Sequence, residues 1–287
     1  MLVSILKSMR PRQWTKNVFV FAALVFDGKL FRLNDFVHTL AGFGLFCLIS
    51  SAVYIFNDLL DIEADRNHPV KKNRPIASGK IPFPVAIITG IFLCLIALVI
   101  GYVLAWQFGL TLLVYFALML AYSKWLKHIP ILDVLILAAG FVLRVHAGTT
   151  LIIVQRFSPW LYVLMTLLAL YLGFGKRRAE LTLLAEDATT HRKVLDGYTL
   201  TLLDQFITIV SASTILAYSL YTFDRLPGNH SLMLTIPFVV YALFRYLYLI
   251  QVNNIGGEPE EILLTDRPFQ VSIILWAIAV LVIFYMS

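Results

Sequence analysis

Charged residues are scarce in this sequence, at only 14% of its 287 residues, whereas hydrophobic residues make up 60%. A soluble globular domain carries about 25% charged residues, so most of this chain is unsuited to face water. Its apolar residues come in helix-length runs that lack the period-2 alternation of a membrane-barrel strand. The composition therefore excludes an ordinary soluble domain and predicts an all-α, polytopic membrane helical bundle.

Cysteines and familiar catalytic motifs are also few. The only two cysteines, Cys47 and Cys94, lie in apolar runs, which excludes a disulfide framework and a Cys/His zinc site. The sequence has no P-loop, no G-x-G-x-x-G after a strand, no H-E-x-x-H and no nucleophile elbow. We therefore expect neither zinc chemistry nor a serine nucleophile, and no nucleic-acid partner.

Eight apolar runs are long enough to cross a bilayer as helices, which needs about 20 residues. They lie at about 36–56, 82–104, 108–122, 130–151, 159–174, 199–223, 231–250 and 269–286. A ninth run near 14–31 is weaker, because its uninterrupted apolar part covers only Val18 to Phe26. No internal repeat is visible. We expect about nine transmembrane helices in a single intramembrane domain over residues 1–287.

Lysine and arginine are distributed unevenly between alternate connections if nine spans are assumed. One side holds 17 of the 23, namely Lys7, Arg10, Arg12, Lys16, Arg66, Lys71, Lys72, Arg74, Lys80, Lys124, Lys127, Lys176, Arg177, Arg178, Arg192, Lys193 and Arg267. The positive-inside rule places that side in the cytoplasm. We therefore expect a multi-pass protein of the bacterial inner (plasma) membrane, with a cytoplasmic N-terminus and an outward-facing C-terminus.

Acidic residues cluster in the stretch NDLLDIEAD, Asn57 to Asp65, at the end of the first strong span. On a continuous helix Asp58, Asp61 and Asp65 fall within an arc of about 60°. Their mutual repulsion calls for a cation, and Mg²⁺ binds through one or two carboxylates together with substrate phosphates. The stretch predicts a Mg²⁺–diphosphate site, and the alternative is a solvated acidic helix end. We expect Asp58→Asn and Asp61→Asn to lower activity while leaving the fold intact.

Cations from four separate segments are expected at the same cytoplasmic mouth. Arginine suits bidentate phosphate contacts and lysine acts as a point charge. Lys72 and Lys80 are explained by the topology rule and contact with anionic lipid. For the other cations the same explanation remains an alternative to phosphate binding. The candidate substrate-binding cations are Lys16, Lys71, Arg74, Lys127, Arg144, Lys176 and Arg177, together with the amides of Asn17 and Asn57.

Asp133 and Arg144 are ionisable residues inside or beside a span, and they lie eleven residues apart. Eleven residues make about three helical turns, so both side chains share a helix face but are too distant to pair directly. An ionisable residue at membrane depth is by default functional or paired. Each therefore needs another partner, which is either a ligand or a structural bond between helices.

The combined motifs resemble the UbiA superfamily of intramembrane prenyltransferases, through its aspartate-rich motif N-D-x-x-D-x-x-x-D. Within it, the chain looks like the bacterial branch that transfers phosphoribosyl groups to decaprenyl phosphate. The resemblance runs from Arg10 to the last span and rests on RPRQWTKN, HPVKKNRPIASG, YSKWLKHIPILDVLILAAGFVLRVHAG, GKRRAEL, FRYLYL and GGEPEEILLTDRP. One departure from the aromatic prenyltransferases is Leu137, which stands where a second D-x-x-x-D would place a carboxylate.

The resemblance implies a nine-helix bundle with a cytoplasm-facing cavity and a Mg²⁺-dependent pentosyltransferase activity. The donor would be phosphoribosyl pyrophosphate, and the acceptor a polyprenyl phosphate in the bilayer, for cell-envelope arabinan precursors. Asp58, Asp61 and Asp65 would hold the metal. Asp58, Asp61 and Asp133 are the catalytic candidates, and Tyr198 is a further substrate-binding candidate. The oligomeric state is left open, a homo-oligomer included.

Two other functions stay open. A prenyl transfer from prenyl diphosphate to an aromatic or other acceptor would use the same fold and metal. An ion-coupled transporter would also place carboxylates in a membrane bundle. Against the transporter, these carboxylates cluster at one membrane face, and no repeat is visible.

Overall fold

A computed structural model describes residues 1–154, 158–186, 193–224, 228–252, 262 and 264–286. The motif at 256–268 and the cations Arg156, Arg192 and Arg225 therefore lie wholly or partly outside the described residues. Within the described ranges the chain forms helices, turns and irregular connections, and no β-strand occurs there. The predicted all-α class is confirmed.

The chain divides into two compact units. The first comprises Met1–Ile129 and Ala139–Arg156, and the second comprises Pro130–Ala138 and Phe157–Ser287. The boundary falls within one continuous helix, which gives its first turns to the second unit and the remainder to the first. The prediction of a single intramembrane domain stays a prediction.

The first unit is built around one long helix, α3. Its elements are α1 (Leu2–Ser8), a 3₁₀ helix (Pro11–Phe21), α2 (Ala22–Phe26), α3 (Leu33–Leu60), α4 (Ile62–Asn67), a 3₁₀ turn (Lys71–Asn73), α5 (Phe83–Leu104), α6 (Trp106–Lys124), a 3₁₀ turn (Leu126–His128) and most of α7 (Leu132–Leu151). Helix α3 packs against α5, α6 and the first 3₁₀ helix. Phe46, Ile49 and Ala52 of α3 are fully buried there, so this helix provides much of the unit's core.

The second unit is held together by two pairs of packed helices. Helix α8 (Pro159–Glu186) packs along α9 (Leu200–Asp224), and α10 (Ile236–Gln251) packs against α11 (Arg267–Met286). Its further elements are a 3₁₀ helix (Lys193–Gly197) and a 3₁₀ turn (Ser231–Thr235). Tyr171, Leu203, Ile207 and Tyr246 lie in its apolar core. The buried hydroxyl of Tyr171 donates a hydrogen bond to the carbonyl of Leu243 at 2.6 Å.

Eight helices of the described chain are long and apolar enough to cross a membrane. They match the eight strong runs of the sequence to within a few residues at most ends. The weak run near 14–31 instead forms a 3₁₀ helix followed by the short α2, because its apolar stretch supports only a few α-helical turns. The count of nine spans stays a prediction.

One span is longer than the sequence indicated. The prediction ended it near residue 174, but α8 continues to Glu186. Lys176, Arg177 and Arg178, which the sequence analysis counted with a connection between spans, therefore lie within α8. Lys, Arg, Ala, Glu and Leu are all good helix formers, so the segment KRRAELTLLAE extends the helix after its apolar face ends.

Candidate active site

The aspartate-rich stretch spans a break between two helices. Helix α3 ends at Leu60, and Asp61 lies at φ −95° and ψ 9° before α4 begins at Ile62. The expectation that Asp58, Asp61 and Asp65 share one continuous helix is therefore wrong. Helical hydrogen bonding still crosses the break, from Asp61 N to Asn57 O at 3.0 Å and from Asp65 N to Asp61 O at 2.8 Å. The three carboxylates thus remain on successive turns.

Asp58 is buried and bound by two arginines. Arg10 Nη2 donates to Asp58 Oδ1 at 2.5 Å, and Arg74 Nη1 donates to the same oxygen at 3.2 Å. Arg74 Nη1 also donates to Asp65 Oδ2 at 2.6 Å. Only 2% of the Asp58 side chain is exposed, and a carboxylate at that depth keeps its charge only with close cationic partners. The expectation that Asn at position 58 removes no buried partner is therefore wrong.

Arg10 is a site residue that sequence reasoning missed. Its backbone is left-handed, with φ 52° and ψ 63°, a conformation that costs a non-glycine residue about 1–2 kcal/mol. Both flanks contact Ser51 of α3, since Ser51 Oγ accepts from Trp14 Nε1 at 3.1 Å and lies 3.2 Å from the carbonyl oxygen of Met9. The guanidinium also stacks over the Tyr54 ring at 5.0 Å. Pro11 was the available signal, since the residue before proline is disfavoured in the α region.

Asp61 has a different partner from its neighbours. Lys127 Nζ contacts both of its oxygens, at 2.7 Å and 2.9 Å. The Asp61 side chain is 29% exposed, so water reaches this pair. The structure therefore brings the predicted site residues Asp61 and Lys127 together, beside the Asp58–Arg74–Asp65 group.

Lys71 is exposed on the 3₁₀ turn that follows α4, three residues before Arg74. The turn is organised by His68, whose Nδ1 accepts from the backbone N–H groups of Val70 at 3.2 Å and Lys71 at 3.3 Å. Partial burial, and then the nearby positive charges of Lys71 and Arg74, lower the pKa of His68 below its ordinary value, while Asp65 opposes the shift. A neutral imidazole therefore fixes the start of the cationic loop.

Asn57 and Lys16 complete the predicted residues near this end of α3. Asn57 lies half-buried in the last turn of α3, directly before Asp58, and its carbonyl accepts the N–H of Asp61. Lys16 is half-buried on the first 3₁₀ helix, six residues after Arg10. Their assignment to substrate binding stays a prediction.

Arg144 and Asn17 form a separate buried group. Arg144 donates from Nε to Asn17 Oδ1, from Nη1 to the carbonyl of Gly140 and from Nη2 to Tyr115 Oη, each at 2.8 Å. Asn17 in turn contacts Cys47 and Ser50 on α3. These positions precede Asp58 by eight to eleven residues, about 12–16 Å along the helix. The structure does not place Arg144 beside the aspartates.

In the second unit, Asp133 is fully buried and both of its carboxylate oxygens are bonded. Arg177 Nε donates to Oδ2 at 2.6 Å, and the Tyr198 hydroxyl donates to Oδ1 at 2.7 Å. Arg177 also pairs with Glu180 one turn along α8. Of the two alternatives for Asp133, this geometry favours the structural bond between helices, and its catalytic assignment stays a prediction.

Tyr198 also supports a strained backbone. Its hydroxyl accepts the N–H of Ile131 at 2.6 Å, and Ile131 has φ 71°, which is unfavourable for a β-branched residue. Burial, and then the hydrogen bond to Asp133, raise the pKa of Tyr198 above its ordinary value. The phenol therefore stays protonated and joins Ile131 to Asp133. Lys176 is half-buried on α8 beside Arg177.

The donor atoms of the aspartate group suit a hard cation. Among the residues that the structure describes, no three His, Cys, Asp or Glu side chains form a preassembled metal cluster. Asp58 and Asp65 nevertheless converge on one positively charged nitrogen, Nη1 of Arg74. Carboxylate oxygens are the ligands that Mg²⁺ prefers, so the residues present fit a magnesium ion.

Comparison with known protein families identifies the family of this chain. The model of the UbiA prenyltransferase family matches residues 17–259. This chain belongs to the UbiA prenyltransferase family. The resemblance seen in its motifs is thereby confirmed, and with its span-length helices this UbiA-family protein is a multi-pass membrane protein.

Named relatives cover nearly the whole chain. A decaprenyl-phosphate phosphoribosyltransferase of Mycolicibacterium smegmatis is 36% identical over 287 residues, covering 95% of this chain and 89% of the relative. The protein of the same name from Corynebacterium glutamicum is 34% identical, covering 98% of this chain and 86% of the relative. A UbiA homologue from Archaeoglobus fulgidus, solved with DMAPP and Mg²⁺, superposes with a TM-score of 0.72 at 18% identity, covering 99% of this chain and 100% of that one. The UbiA-like fold is thus shown.

Proposed function

We propose that this UbiA-family protein transfers the 5-phosphoribosyl group of phosphoribosyl pyrophosphate to a polyprenyl phosphate in the membrane and releases diphosphate. The observation that carries the proposal is the alternation of carboxylates and cations at the end of α3, where Asp58, Asp61 and Asp65 each contact a basic side chain. Such a site offers oxygens to a metal and cations to phosphates. The names of the relatives give the transferred phosphoribosyl group and a polyprenyl-phosphate acceptor, and phosphoribosyl pyrophosphate is the donor that we propose for that group.

The metal would be held by Asp58, Asp61 and Asp65. A bound Mg²⁺ would neutralise charge on the leaving diphosphate and so favour its departure. The protein's own cations then have two tasks. Arg10, Arg74 and Lys127 would turn from the carboxylates towards phosphate oxygens, and the exposed Lys71 would add positive charge at the same opening.

The reaction itself needs little proton transfer. The acceptor phosphate oxygen is already anionic near neutral pH, so it attacks C1 of the ribose without a general base. The bond from C1 to the diphosphate oxygen breaks, and its electron pair leaves with the diphosphate. Charge at C1 is shared with the ring oxygen in an oxocarbenium-like transition state. Holding the two anions in line supplies much of the rate, and a single displacement inverts the configuration at C1.

The side of the membrane on which the site lies is inferred from the distribution of lysine and arginine. The cation-rich connections support a position of the aspartates and the N-terminus on the cytoplasmic side of the plasma membrane. Phosphoribosyl pyrophosphate is a water-soluble donor, so a cytoplasmic opening suits it, whereas the lipid acceptor would enter from the bilayer. The product would serve as an arabinan precursor of the cell envelope.

Prenyl transfer is the second candidate, favoured by the Archaeoglobus homologue with its prenyl diphosphate and Mg²⁺. The two functions are separated by presenting the purified protein in lipid nanodiscs with Mg²⁺ and polyprenyl phosphate. Phosphoribosyl pyrophosphate is offered in one reaction and geranyl diphosphate with an aromatic acceptor in another. We expect acceptor-dependent diphosphate release only with the ribosyl donor. Release only with geranyl diphosphate would assign the protein to prenyl transfer.

A further inference from the structure

Two guanidinium groups converge on a single carboxylate oxygen at the end of α3. Arg10 approaches Asp58 Oδ1 at 2.5 Å and Arg74 approaches it at 3.2 Å. Between them they neutralise the charges of Asp58 and Asp65, which are the carboxylates that fit a metal. A divalent cation that binds these oxygens must therefore compete with cations that belong to the protein.

Arg10 is held in place at a cost to its backbone. Its left-handed conformation is fixed by the anchoring of Met9 and Trp14 on Ser51, two turns before Asp58 on α3. Strained backbone conformations cluster at active sites and ligand-binding segments. The side chain is 28% exposed, so it is not needed to fill the core.

Among the contacts that the described residues make, most N–H donors of both guanidinium groups are unused. Arg10 uses one Nη2 hydrogen for Asp58, and Arg74 uses only Nη1 for Asp58 and Asp65. Each arginine carries five N–H donors in a fork that suits phosphate oxygens. The same side chains can therefore bind a diphosphate when a metal takes their place at the carboxylates.

We propose that Arg10 is a donor-binding residue, which exchanges its contact with Asp58 for the donor's diphosphate when a metal binds the carboxylates. Arg74 makes the same exchange from Asp65. Arg10 and Arg74 would leave the carboxylates when these hold a metal, and both would then bind the diphosphate. This inference rests on the proposed function, because it requires a metal-bound diphosphate. Its consequence is that metal and diphosphate each bind poorly alone and strongly together.

The test uses Mn²⁺ and inorganic diphosphate as probes on the full chain in nanodiscs. Binding of Mn²⁺ alone is followed by the electron paramagnetic resonance signal of the free ion, and binding of ³²P-labelled diphosphate is followed at saturating Mn²⁺. Arg10→Asn removes the charge while keeping a residue that tolerates the left-handed backbone. Arg12→Asn is the matched control, because Arg12 is exposed on the same segment and its loss changes the net charge equally.

Opposite shifts are expected in Arg10→Asn. Mn²⁺ alone should bind about fivefold more tightly, since a competing cation is gone, whereas diphosphate with Mn²⁺ should bind about tenfold more weakly, since a charged hydrogen-bond donor is lost. Arg12→Asn should leave both affinities at the wild-type values. Unchanged affinities in Arg10→Asn, or a loss of both, would overturn the exchange.

The result is independent of the ribosyl donor. If Arg10→Asn unfolds, Arg10→Gly replaces it, because glycine adopts the left-handed backbone without strain. Opposite shifts combined with no turnover of phosphoribosyl pyrophosphate would support the exchange and refute the proposed donor. Turnover of that donor without opposite shifts would support the function and refute the exchange.

Discussion

Arg177 and Asp133 form a buried ion pair that joins α8 to the first turn of α7, with Arg177 Nε 2.6 Å from Asp133 Oδ2. Their side chains are 2% and 0% exposed. Both residues were predicted site residues, one for substrate binding and the other for catalysis. The pair favours a structural role for both residues, because a charge at this depth needs a charged partner, and Arg177 supplies the cation for Asp133.

Breaking this pair should be costly. Arg177→Gln should destabilise the protein by about 3–5 kcal/mol, because it leaves the buried carboxylate of Asp133 without its cation. Asp133→Asn should cost less, since Arg177 keeps its pair with Glu180. The double variant should cost less than the sum of the two. Thermal unfolding in detergent measures all three. Arg178→Gln is the control, since its carboxylate partner Asp204 is 37% exposed and stays solvated when the pair is lost. This variant should cost about 1–2 kcal/mol, chiefly through the lost hydrogen bond to the carbonyl of Ile250. An effect of Arg177→Gln as mild as this control would contradict the structural role.

The Tyr198 hydroxyl should contribute measurably to the same unit. Tyr198→Phe leaves the Ile131 N–H and one Asp133 oxygen without their partner, and this should cost about 1–3 kcal/mol. Tyr241→Phe removes a hydroxyl from an exposed tyrosine and should leave the unfolding temperature unchanged. Equal unfolding temperatures for the two variants would show that the Tyr198 hydroxyl does not hold the turn at Ile131.

Asp61 offers a cleaner test of the carboxylate site than Asp58. Asp61 is partly exposed and paired with Lys127, so Asp61→Asn should lower turnover about a hundredfold or more while changing the unfolding temperature little. Asp58→Asn should lower both, because it leaves Arg10 without its carboxylate and Arg74 with Asp65 alone. Glu63→Gln is the control, since Glu63 is exposed two residues away. Wild-type turnover in Asp61→Asn would contradict its assignment as a metal ligand.

His68 should make the cationic loop sensitive to acid. Its pKa in the folded protein is lowered from 6.5 by partial burial, Lys71 and Arg74, with Asp65 opposing. The folded turn is therefore favoured above about pH 6.5, and this contribution is lost as the pH falls through the lowered pKa. Hydrogen exchange at the Val70 and Lys71 amides, corrected for its intrinsic pH dependence, should speed up over that range. Exchange in His68→Ala should show no such dependence, and an equal dependence in both proteins would exclude His68 as the cause.

Much of the fold could be predicted because a membrane span requires a long run of apolar residues, which is visible in the sequence. Apolar runs of span length have one stable solution in lipid, the helix, so eight helices could be located from the sequence. The end of α8 could not be located in this way, because the segment KRRAEL is polar enough to form a loop but its residues also favour a helix. The break at Asp61 was hidden for a related reason: its i, i+4 hydrogen bonds keep helical spacing while the helix ends.

The partners of the site residues were harder to predict than their identities. Spacing along one chain brings Asp58 and Asp65 onto neighbouring turns, but it says nothing of Arg10, which reaches Asp58 from 48 residues away. The same limit applies to Asp133, whose partner Arg177 lies 44 residues later. Arg144 was expected near the aspartates and instead bonds Asn17 and Tyr115 deeper along α3. Pairing between residues far apart in the sequence depends on how the helices pack, and hydrophobic periodicity does not predict that packing.

Phosphoribosyl transfer is tested most directly by measuring whether a label in the ribose of the donor reaches the lipid acceptor. Phosphoribosyl pyrophosphate labelled with ¹⁴C in the ribose is incubated with the nanodisc-embedded protein, Mg²⁺ and polyprenyl phosphate, and the lipid fraction is extracted. We expect labelled lipid only when polyprenyl phosphate is present, in an amount equal to the diphosphate released. The ribose of the product should have an inverted configuration at C1, and Asp61→Asn should reduce the labelling of lipid at least a hundredfold. Diphosphate release without labelled lipid, or equal labelling by Asp61→Asn, would contradict phosphoribosyl transfer at this site.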